Sequence, residues 1–420
     1  MSGDLWRKPA FMKLWSAQAI SEFGARFARD GLPLAAVLVL HGSPHQVGLI
    51  AALAILPRIV IGTLAGGYID RSNRRWVMIG ADVMRALLLA TIPLAAVFHV
   101  LSILQLYGVA FLVGAGSVVF DIANQAYVPA LVDREHLLEG NTKLSVTASL
   151  ANVSGPAVTG LLIQLVTAPF AVGLTSISYG VSAILLAWMR HTERPNRVEA
   201  KGWLVDFRDG CSAVFGERII GPICLMETSA NLFVAMFASL YPFIALRELH
   251  LTPFMFGATF AAGGAGALCG AWLRPWLTRR LGIGPASILA IFVAGAATFV
   301  FPLTYGPPVM AAILLGAAQF VGDALSTVSG ITINTLRQSA FETDRLGRVN
   351  SVFQVTVGAA SLVGALAGGW LGEALGARQA LLIAAAGLTG STLWAFLSPL
   401  PGLRHAPGPT LSRGWPSARM

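Results

Sequence analysis

Charged residues are scarce in this sequence. Only 12% of its 420 residues are Asp, Glu, Lys or Arg, whereas 55% are hydrophobic. A soluble globular protein carries about 25% charged residues, so this chain has too few to cover a water-facing surface of its size. The composition excludes an ordinary soluble enzyme and a disordered chain. It predicts a polytopic helical membrane protein.

Cysteine is also scarce. The three cysteines are odd in number and lack the spacing of a metal site, so they say little about function, and the low charge content already excludes a disulfide-stapled secreted domain. The seven histidines fall in predicted loops or at the ends of apolar runs, and no nucleophile lies near a base in a recognisable set. We therefore expect no metal site, no catalytic residues and no enzyme activity.

Long apolar runs dominate the sequence. A membrane-spanning helix needs about 20 mostly apolar residues. Twelve runs of that length are present, and they predict an all-α membrane protein with two six-helix bundles. The predicted spans are 14–40, 46–69, 76–97, 101–124, 144–166, 169–190, 220–246, 253–274, 284–304, 308–336, 350–373 and 378–398.

A polar stretch, 191–218, separates the sixth predicted span from the seventh. It divides the chain into a first bundle, 1–190, and a second bundle, 219–398. Apolar residues recur about every fourth position from Trp203 to Phe215, which predicts a short interfacial helix in this linker. A loosely ordered connector is the alternative for its first ten residues. The tail 399–420 is rich in Pro, Ser and Arg, and we expect it to be disordered.

The basic residues predict the orientation of the chain. The net charge of +9 comes from 25 Arg and 4 Lys. They form short clusters between apolar runs, so membrane topology explains them better than a nucleic-acid partner does. With the N-terminus inside, 23 of the 29 fall in cytoplasmic segments and only Arg247 and Arg378 in outside turns. This bias predicts that both termini are cytoplasmic.

The two halves show traces of an internal repeat. An acidic and basic loop ending in Asn141 follows the fourth span, and a similar loop ending in Asn350 follows the tenth, 209 positions later. Glycine pairs in the fifth and eleventh spans lie near the same offset. Two related six-helix halves predict pseudo-two-fold packing with a path between them, which is typical of secondary transporters.

The loop after the second span carries a family resemblance. It is similar to the signature loop of the major facilitator superfamily, with Asn73 where a glycine is usual, and it reads Gly66-Gly67-Tyr68-Ile69-Asp70-Arg71-Ser72-Asn73-Arg74-Arg75. Three further segments resemble the exporter branch of siderophore and macrolide permeases: Leu56-Pro57-Arg58, Ala81-Asp82-x-x-Arg85 and Leu346-Gly347-Arg348-Val349-Asn350-Ser351. The resemblance covers essentially residues 10–398.

This resemblance implies a function. A member of this branch would export a small amphipathic molecule, such as a drug, a siderophore or a secondary metabolite, by proton antiport with alternating access. It would act as a monomer in the bacterial cytoplasmic membrane. Its only partners would be its small-molecule substrate and the lipid bilayer, and it would need no cofactor beyond the proton motive force. Import of a nutrient, translocation of a lipid, and a non-transporting receptor or scaffold remain alternatives.

The resemblance also implies a charged gate on the cytoplasmic side that locks the outward-facing state. Its core would be Asp70, Arg74 and Asp121, facing the helix end near Arg348. The alternative is that the signature-loop arginines only anchor the topology. The full set of candidate gating residues is Asp70, Arg71, Arg74, Arg75, Asp121 and Arg348.

The first span is unusually polar. One face of it, about 120° wide, carries Gln18, Glu22, Arg26, Arg29 and Asp30. Charges at such depth are costly, so this face should line a polar cavity or pair internally. The i,i+4 spacing favours ion pairs of Arg26 with Glu22 and with Asp30. A structural ion-pair ladder and a substrate path with proton coupling both remain open.

Two further acids stand inside predicted spans. Glu227 precedes Asn231 by one turn, and Asp323 follows Gln319 by one turn. Neither has a basic residue one turn away, and burial favours the neutral form of a carboxyl group. Both are therefore candidate proton sites, with a neutral, hydrogen-bonded structural acid as the alternative. Arg58 would be a counter-ion for the acids of the cavity.

Other intramembrane features have simpler interpretations. Asp82 and Arg85 are best explained as a local structural pair. A partial antiporter motif in the fifth span, with Gly155, Pro156 and Gly160, predicts a helix bend or a packing site. Gly-x-x-x-Gly pairs permit close helix approach. The glycine-rich run at 263–270 lacks the Lys-Ser/Thr of a phosphate-binding loop, which argues against ATP-driven transport.

Overall fold

The computed structural model describes Leu5 and residues 8–64, 72–132, 136–189, 203–341 and 343–404. Within these ranges the chain is helical and no strand is present, so the predicted all-α fold is confirmed. The helices are α1 (Pro9–Leu38), α2 (Pro44–Leu64), α3 (Arg74–Val97), α4 (Ile103–Leu131), α5 (Leu137–Val166), α6 (Ala168–Ala187), α7 (Trp203–Gly216), α8 (Ile220–Phe243), α9 (Pro253–Leu281), α10 (Ile283–Thr298), α11 (Pro308–Ala340), α12 (Thr343–Leu375) and α13 (Ala377–Gly390).

Three helices have short continuations. A π-helical turn, Ile244–Glu248, extends α8, and the turns Val300–Leu303 and Leu393–Phe396 extend α10 and α13. In the described part of the chain, each of the twelve predicted spans therefore corresponds to one long helix. The additional helix, α7, lies in the segment where the sequence predicts an interfacial helix.

Eleven helices in the described ranges are long and apolar enough to cross a membrane. The remaining long helix is α1. Its 30 residues would measure about 45 Å, which is ample for a bilayer. Its apolar character is interrupted by Lys13, Glu22, Arg26, Arg29 and Asp30.

The tight turns show why particular residues end the helices. Gly282 joins α9 to α10, and Gly376 joins α12 to α13, each with φ +92°. A left-handed backbone of this kind costs little only for glycine, so a single residue can reverse the chain. Thr167 adopts φ +73° between α5 and α6 without that advantage.

The chain forms two compact units. The first comprises Met1–Ala200 and Ala245–Ala261, and the second comprises Lys201–Ile244 and Ala262–Met420. The segment Ala245–Ala261 groups with the first unit, although the sequence division places it in the second bundle. The helix α9 therefore begins in the first unit and continues in the second.

Close backbone contacts explain this grouping. Gly160 of α5 lies against the first turns of α9, and a Cβ atom on Gly257 would lie only 2.5 Å from the carbonyl oxygen of Pro156. Arg247 also donates a hydrogen bond to the carbonyl oxygen of Val37, over 3.2 Å. Glycine at the crossing lets the helix backbones touch, as small residues do in membrane bundles.

Within the first unit, α1 packs along α6 and α2 along α4. A Cβ atom on Gly31 would lie 2.8 Å from the Val172 side chain, and one on Gly114 would lie 2.7 Å from the carbonyl oxygen of Ala54. The buried core of the unit includes Met78 at 0% exposure.

Within the second unit, glycine pairs bring helices together. Gly266 and Gly270 of α9 lie against the backbone of α11, and Gly364 and Gly368 of α12 lie against that of α8. The close approach predicted from the Gly-x-x-x-Gly pairs is present at both places. Large apolar side chains such as Trp370 are exposed on the outer helix faces, where lipid would cover them.

The linker and the tail are partly described. The helix α7 packs on α12, where a Cβ atom on Gly210 would lie 2.7 Å from the carbonyl oxygen of Arg348. The sequence predicts disorder from residue 399 onward, but Leu400–Gly402 forms a 3-10 turn in which Leu400 is buried. The backbone N–H of Gly284 donates a hydrogen bond to the carbonyl oxygen of Leu403, over 2.8 Å, which holds this turn against α10. Residues 190–202 and 405–420 lie outside the described ranges.

Candidate functional site

The polar face of α1 meets α5 in the first unit. Arg26 Nε lies 3.2 Å from Asp30 Oδ2, the ion pair that the i,i+4 spacing predicts. Arg26 Nη1 also donates to Asn152 Oδ1 of α5 over 3.0 Å, and Arg29 Nη2 reaches the same oxygen over 3.5 Å. Gly155 makes room for this arrangement, because a Cβ atom there would collide with Arg26 Cγ.

The helix α5 is unbroken at the partial antiporter motif. It remains α-helical through Gly155, Pro156 and Gly160. Pro156 has no N–H to donate to the carbonyl of Asn152. Thr159 donates its hydroxyl to a different carbonyl oxygen, that of Gly155, over 2.8 Å. In this structure the motif provides a packing surface for Arg26 and for α9.

Gln18 lies on the same face of α1 as Arg26. Its Oε1 is buried and, within the described part of the chain, accepts no hydrogen bond. A buried acceptor without a donor costs free energy. Such an atom is suited to receive a hydrogen bond from a bound molecule.

A second set of charges lies where α2 and α4 meet. Arg58 Nη2 lies 3.6 Å from Asp121 Oδ2, with the two side chains 66% and 45% exposed. Arg58, Arg85 and Asp121 are all close enough to Glu22 to act on its charge. Glu22 itself forms no ion pair within the described ranges, so the pair of Glu22 with Arg26 that the i,i+4 spacing favours is not formed there. Arg58 is thus a counter-ion to an acid, and the structure identifies Asp121 as its partner.

The pair formed by Asp82 and Arg85 is completely buried, at 0% and 2% exposure. Ser182 donates to Asp82 Oδ2 over 2.6 Å, and Arg85 Nη1 donates to Ser117 over 3.2 Å. The Arg85 guanidinium also lies 4.1 Å from the ring centroid of Tyr179. Within the described ranges only Arg85 Nε lacks a partner among the polar atoms of this pair. Several hydrogen bonds around a buried pair are typical of a structural role, as the sequence predicts.

The described residues at the end of the signature loop form hydrogen bonds that hold helix ends in place. Asn73, in the place of the usual glycine, is the N-cap of α3, because its Oδ1 accepts the N–H of Trp76 over 3.3 Å. Arg74 Nη1 donates to the carbonyl oxygen of Ala126 over 3.2 Å. Arg75 donates to the carbonyl oxygens at the end of α6, including that of Leu186 over 2.8 Å.

Two of the predicted gating residues, Asp70 and Arg71, lie outside the described ranges. The other predicted gating residues are spread over separate contacts. Asp121 pairs with Arg58, as above. Arg348 of α12 lies 3.9 Å from Asp209 of α7, so the end of α12 is tied to the linker helix in the second unit.

Glu227 lies on α8, partly buried in the second unit. Asn231 Nδ2 donates to the backbone carbonyl of Glu227 over 2.9 Å, rather than to its carboxylate. Arg337 of α11 is close enough to act on the charge of Glu227. The Arg337 guanidinium itself lies 4.6 Å from the ring centroid of Phe353.

Asp323 lies on α11 beside α9. Gln319 Nε2 donates to Asp323 Oδ2 over 3.2 Å, which is the neighbour that the one-turn spacing predicts. A Cβ atom on Gly263 of α9 would collide with the same carboxylate oxygen. Glycine at that position therefore makes room for a carboxylate between two helices.

Ion pairs and partly buried acids lie on helices that are otherwise apolar. In the described ranges, no group of three or more His, Cys, Asp or Glu side chains could hold a metal ion.

Comparison with known proteins identifies the family. The family described as "Transmembrane secretion effector", within the major facilitator superfamily, matches residues 5–418. The chain belongs to this family. The resemblance to the major facilitator superfamily, predicted from the signature loop, is thereby confirmed. The members of this family are multi-pass membrane transporters, not enzymes.

Curated relatives match over most of the chain. The multidrug efflux pump Tap of Mycobacterium tuberculosis (strain ATCC 25618 / H37Rv) is 26% identical over 417 residues, which are 95% of each chain. The macrolide efflux protein A of Streptococcus pyogenes is 23% identical over 271 residues, which are 63% of this chain and 66% of that protein.

Solved structures share the fold. A bacterial homologue of the iron transporter ferroportin superposes with a TM-score of 0.72 at 16% identity, over 92% of this chain and 98% of that one. A bacterial homologue of the human lysosomal transporter Spinster gives 0.70 at 13% identity, over 93% and 97%. At such low identity the likeness shows the major facilitator fold alone.

Sequence reasoning did not identify several residues that contact the predicted site residues. Asn152, Asp209 and Arg337 each contact or approach a predicted site residue from a helix distant in sequence. Only their location inside or beside apolar segments could have drawn attention to them. The i,i+4 rule reports neighbours on one helix and is silent about contacts between helices.

Proposed function

We propose that this protein exports a small amphipathic molecule, of the drug, siderophore or secondary-metabolite class, in exchange for protons. It would do so across the bacterial cytoplasmic membrane with both termini in the cytoplasm. The observation that carries the proposal is the presence of ionisable side chains, in both units, on helices that are otherwise apolar. Such side chains are expensive in a membrane and are retained where ions or substrates pass.

Asp323 is the proton site we favour, with Glu227 second. The Asp323 carboxylate lies between α11 and α9, where Gln319 Nε2 donates to Oδ2 over 3.2 Å and Gly263 leaves room for it. An ionisable group held between two membrane-spanning helices is a candidate for a proton relay. In an alternating-access cycle, exposure to one side and then the other would load and release the proton.

The first unit suggests the chemistry of the substrate. Two of the arginines on its polar helix faces are paired with acids, Arg26 with Asp30 and Arg58 with Asp121, so those charges largely cancel. The buried acceptor of Gln18 could take a hydrogen bond from the substrate. We therefore propose an amphipathic molecule with hydrogen-bond donors rather than a strongly charged ion.

The names of the relatives support export. Tap is called a multidrug efflux pump, and the streptococcal relative a macrolide efflux protein. We propose the same direction for this chain. The gating residues Arg74, Asp121 and Arg348, with Asp70 and Arg71, would bias the cycle through the contacts of the cytoplasmic helix ends.

An efflux assay tests the proposal. Cells expressing the wild-type protein or Asp323→Asn are loaded with a panel of labelled amphipathic compounds, with and without a protonophore. Export predicts that the wild type lowers accumulation of at least one compound, that the protonophore abolishes the difference, and that Asp323→Asn behaves like the vector control. Raised accumulation would indicate import. Identical accumulation of every compound in wild-type and vector cells would favour a receptor or scaffold.

A further inference from the structure

We propose that a recess at the end of α9 binds the headgroup of an anionic phospholipid. The recess has a volume of about 480 Å³ and is lined by Trp272, Pro275, Trp276, Arg279 and Arg280. These residues follow one another at helical spacing, so they form a single face of the last turns of α9. We call this surface the α9 recess.

The arginines of the α9 recess are available to a ligand. In the described part of the chain, neither Arg279 nor Arg280 forms a hydrogen bond or an ion pair, and Arg280 only stacks over the Trp276 ring at 5.5 Å. One turn earlier, Arg274 is engaged, because its Nε donates to Thr332 over 3.2 Å. Two adjacent guanidinium groups with open N–H donors match the oxygens of a phosphate.

The tryptophans give the α9 recess an apolar wall. Trp272 is 84% exposed and Trp276 is 53% exposed, and Leu268, one turn before Trp272, is also exposed. Tryptophan prefers the membrane interface, where an apolar ring meets polar headgroups. A lipid phosphate beside the arginines would thus place its acyl chain along Trp272 and Leu268.

An arginine beside a tryptophan in the first unit contacts the protein itself. There Arg75 lies 5.7 Å from the Trp76 ring, but its guanidinium donates to the carbonyl oxygens of Leu186 and Ala187. The same residue types therefore serve an internal contact in one half and remain open in the other.

A simpler explanation must be separated from this one. Arginines in the last turn of a helix interact favourably with the negative end of the helix dipole, and they anchor the cytoplasmic side of a span. Those roles require positive charge, but they require neither the recess nor the tryptophans. The lipid proposal rests on the proposed cytoplasmic location, where anionic lipids attract basic residues. It does not depend on the transported substrate.

Native mass spectrometry of the purified full-length chain tests the proposal. The probes are phosphatidylglycerol and phosphatidylcholine of the same acyl chains. The wild type is expected to bind the first at least about tenfold more tightly, since each arginine near an anionic lipid contributes a factor of about five. Arg279→Gln/Arg280→Gln should lose this preference. The control variant, Arg208→Gln/Arg218→Gln, removes the same charge from two exposed positions, one in α7 and one just after it. It should keep the preference for phosphatidylglycerol.

Two further arms make the outcome decisive. Trp272→Ala keeps both arginines and should also weaken phosphatidylglycerol binding, which covers the case in which the arginine variant fails to fold. Inorganic phosphate at millimolar concentration should not displace the lipid. The proposal is overturned if the wild type shows no preference, if both arginine variants lose it equally, if Trp272→Ala binds as the wild type does, or if free phosphate displaces the lipid.

Discussion

At the scale of single residues, burial decides what each ion pair does. Asp82 and Arg85 are fully buried and hydrogen-bonded on several sides, whereas Arg58 and Asp121 are about half exposed. A buried charge left without its partner is costly, but an exposed pair contributes little. The pair of Asp82 with Arg85 should therefore contribute strongly to the stability of the fold. The pair of Arg58 with Asp121 can break and re-form during transport at little cost in stability.

Removing one member of the buried pair tests this contrast. Arg85→Met leaves Asp82 with Ser182 as its remaining hydrogen-bond donor, and we expect a loss of about 3–5 kcal/mol in the free energy of unfolding. The measurement is thermal and denaturant unfolding in detergent. Arg58→Gln is the control, because it removes the same charge from a solvated pair and should cost about 1 kcal/mol or less. Equal losses in the two variants would refute the distinction.

Part of the residue-level picture was predictable. The spacing along α1 predicted the pair of Arg26 with Asp30, and the spacing along α11 predicted the contact of Gln319 with Asp323. Contacts between helices, such as Arg58 with Asp121, could not be derived, because they depend on how helices pack and not on spacing within one helix. The role of Asn73 as a helix cap was also not recognised.

At the scale of helices, glycines control how closely neighbours approach. Gly155 accommodates the side chain of Arg26, Gly160 accommodates the backbone of α9, and Gly108 of α4 has no neighbour within 4 Å of an added Cβ atom. A side chain can rotate away from a new methyl group, but a helix backbone cannot move without disturbing its packing.

The three glycines form a graded test. Gly160→Ala should lower the free energy of unfolding by about 1–3 kcal/mol through overpacking. Gly155→Ala should cost less stability but should reduce transport, because Arg26 must leave Asp30 and Asn152. Gly108→Ala should be neutral or raise stability by up to about 1 kcal/mol, as alanine favours a helix. Unfolding curves and efflux rates of the three variants are the measurement, and a different order of stability would contradict the packing argument.

Helices were the most predictable feature of this chain. Each long apolar run became a helix, because a backbone in lipid must satisfy its own hydrogen bonds. The helices α5 and α12 begin at Leu137 and Thr343, which is before the starts of the predicted spans. These extensions are polar, so hydropathy alone could not reveal them.

At the scale of the whole molecule, the distribution of arginine predicts topology. Ser43, before α2, should lie outside the cell, and Ser72, before α3, should lie in the cytoplasm. In a cysteine-free background, Ser43→Cys should react with a membrane-impermeant maleimide in intact cells. Ser72→Cys should react only after permeabilisation. The reverse pattern would invert the proposed orientation.

The grouping of Ala245–Ala261 with the first unit was not predictable at this scale. The sequence divides the chain at its polar linker, which is the natural boundary when only hydropathy is visible. The contacts of Gly257 with α5 and of Arg247 with α1 override that boundary. Close glycine crossings were expected within each half, but nothing in the pattern paired Gly160 with Gly257.

The central claim is that a partly buried acid couples proton movement to substrate export. Its most direct test is a proteoliposome measurement, in which the purified protein is reconstituted and internal pH is followed with a dye. An exported compound added outside wild-type vesicles should enter them in exchange for protons, so protons should leave and the internal pH should rise. Asp323→Asn should abolish this proton flux while still exchanging labelled for unlabelled substrate. Substrate-driven proton movement undiminished in Asp323→Asn, or absent from the wild type while substrate crosses, would contradict the account.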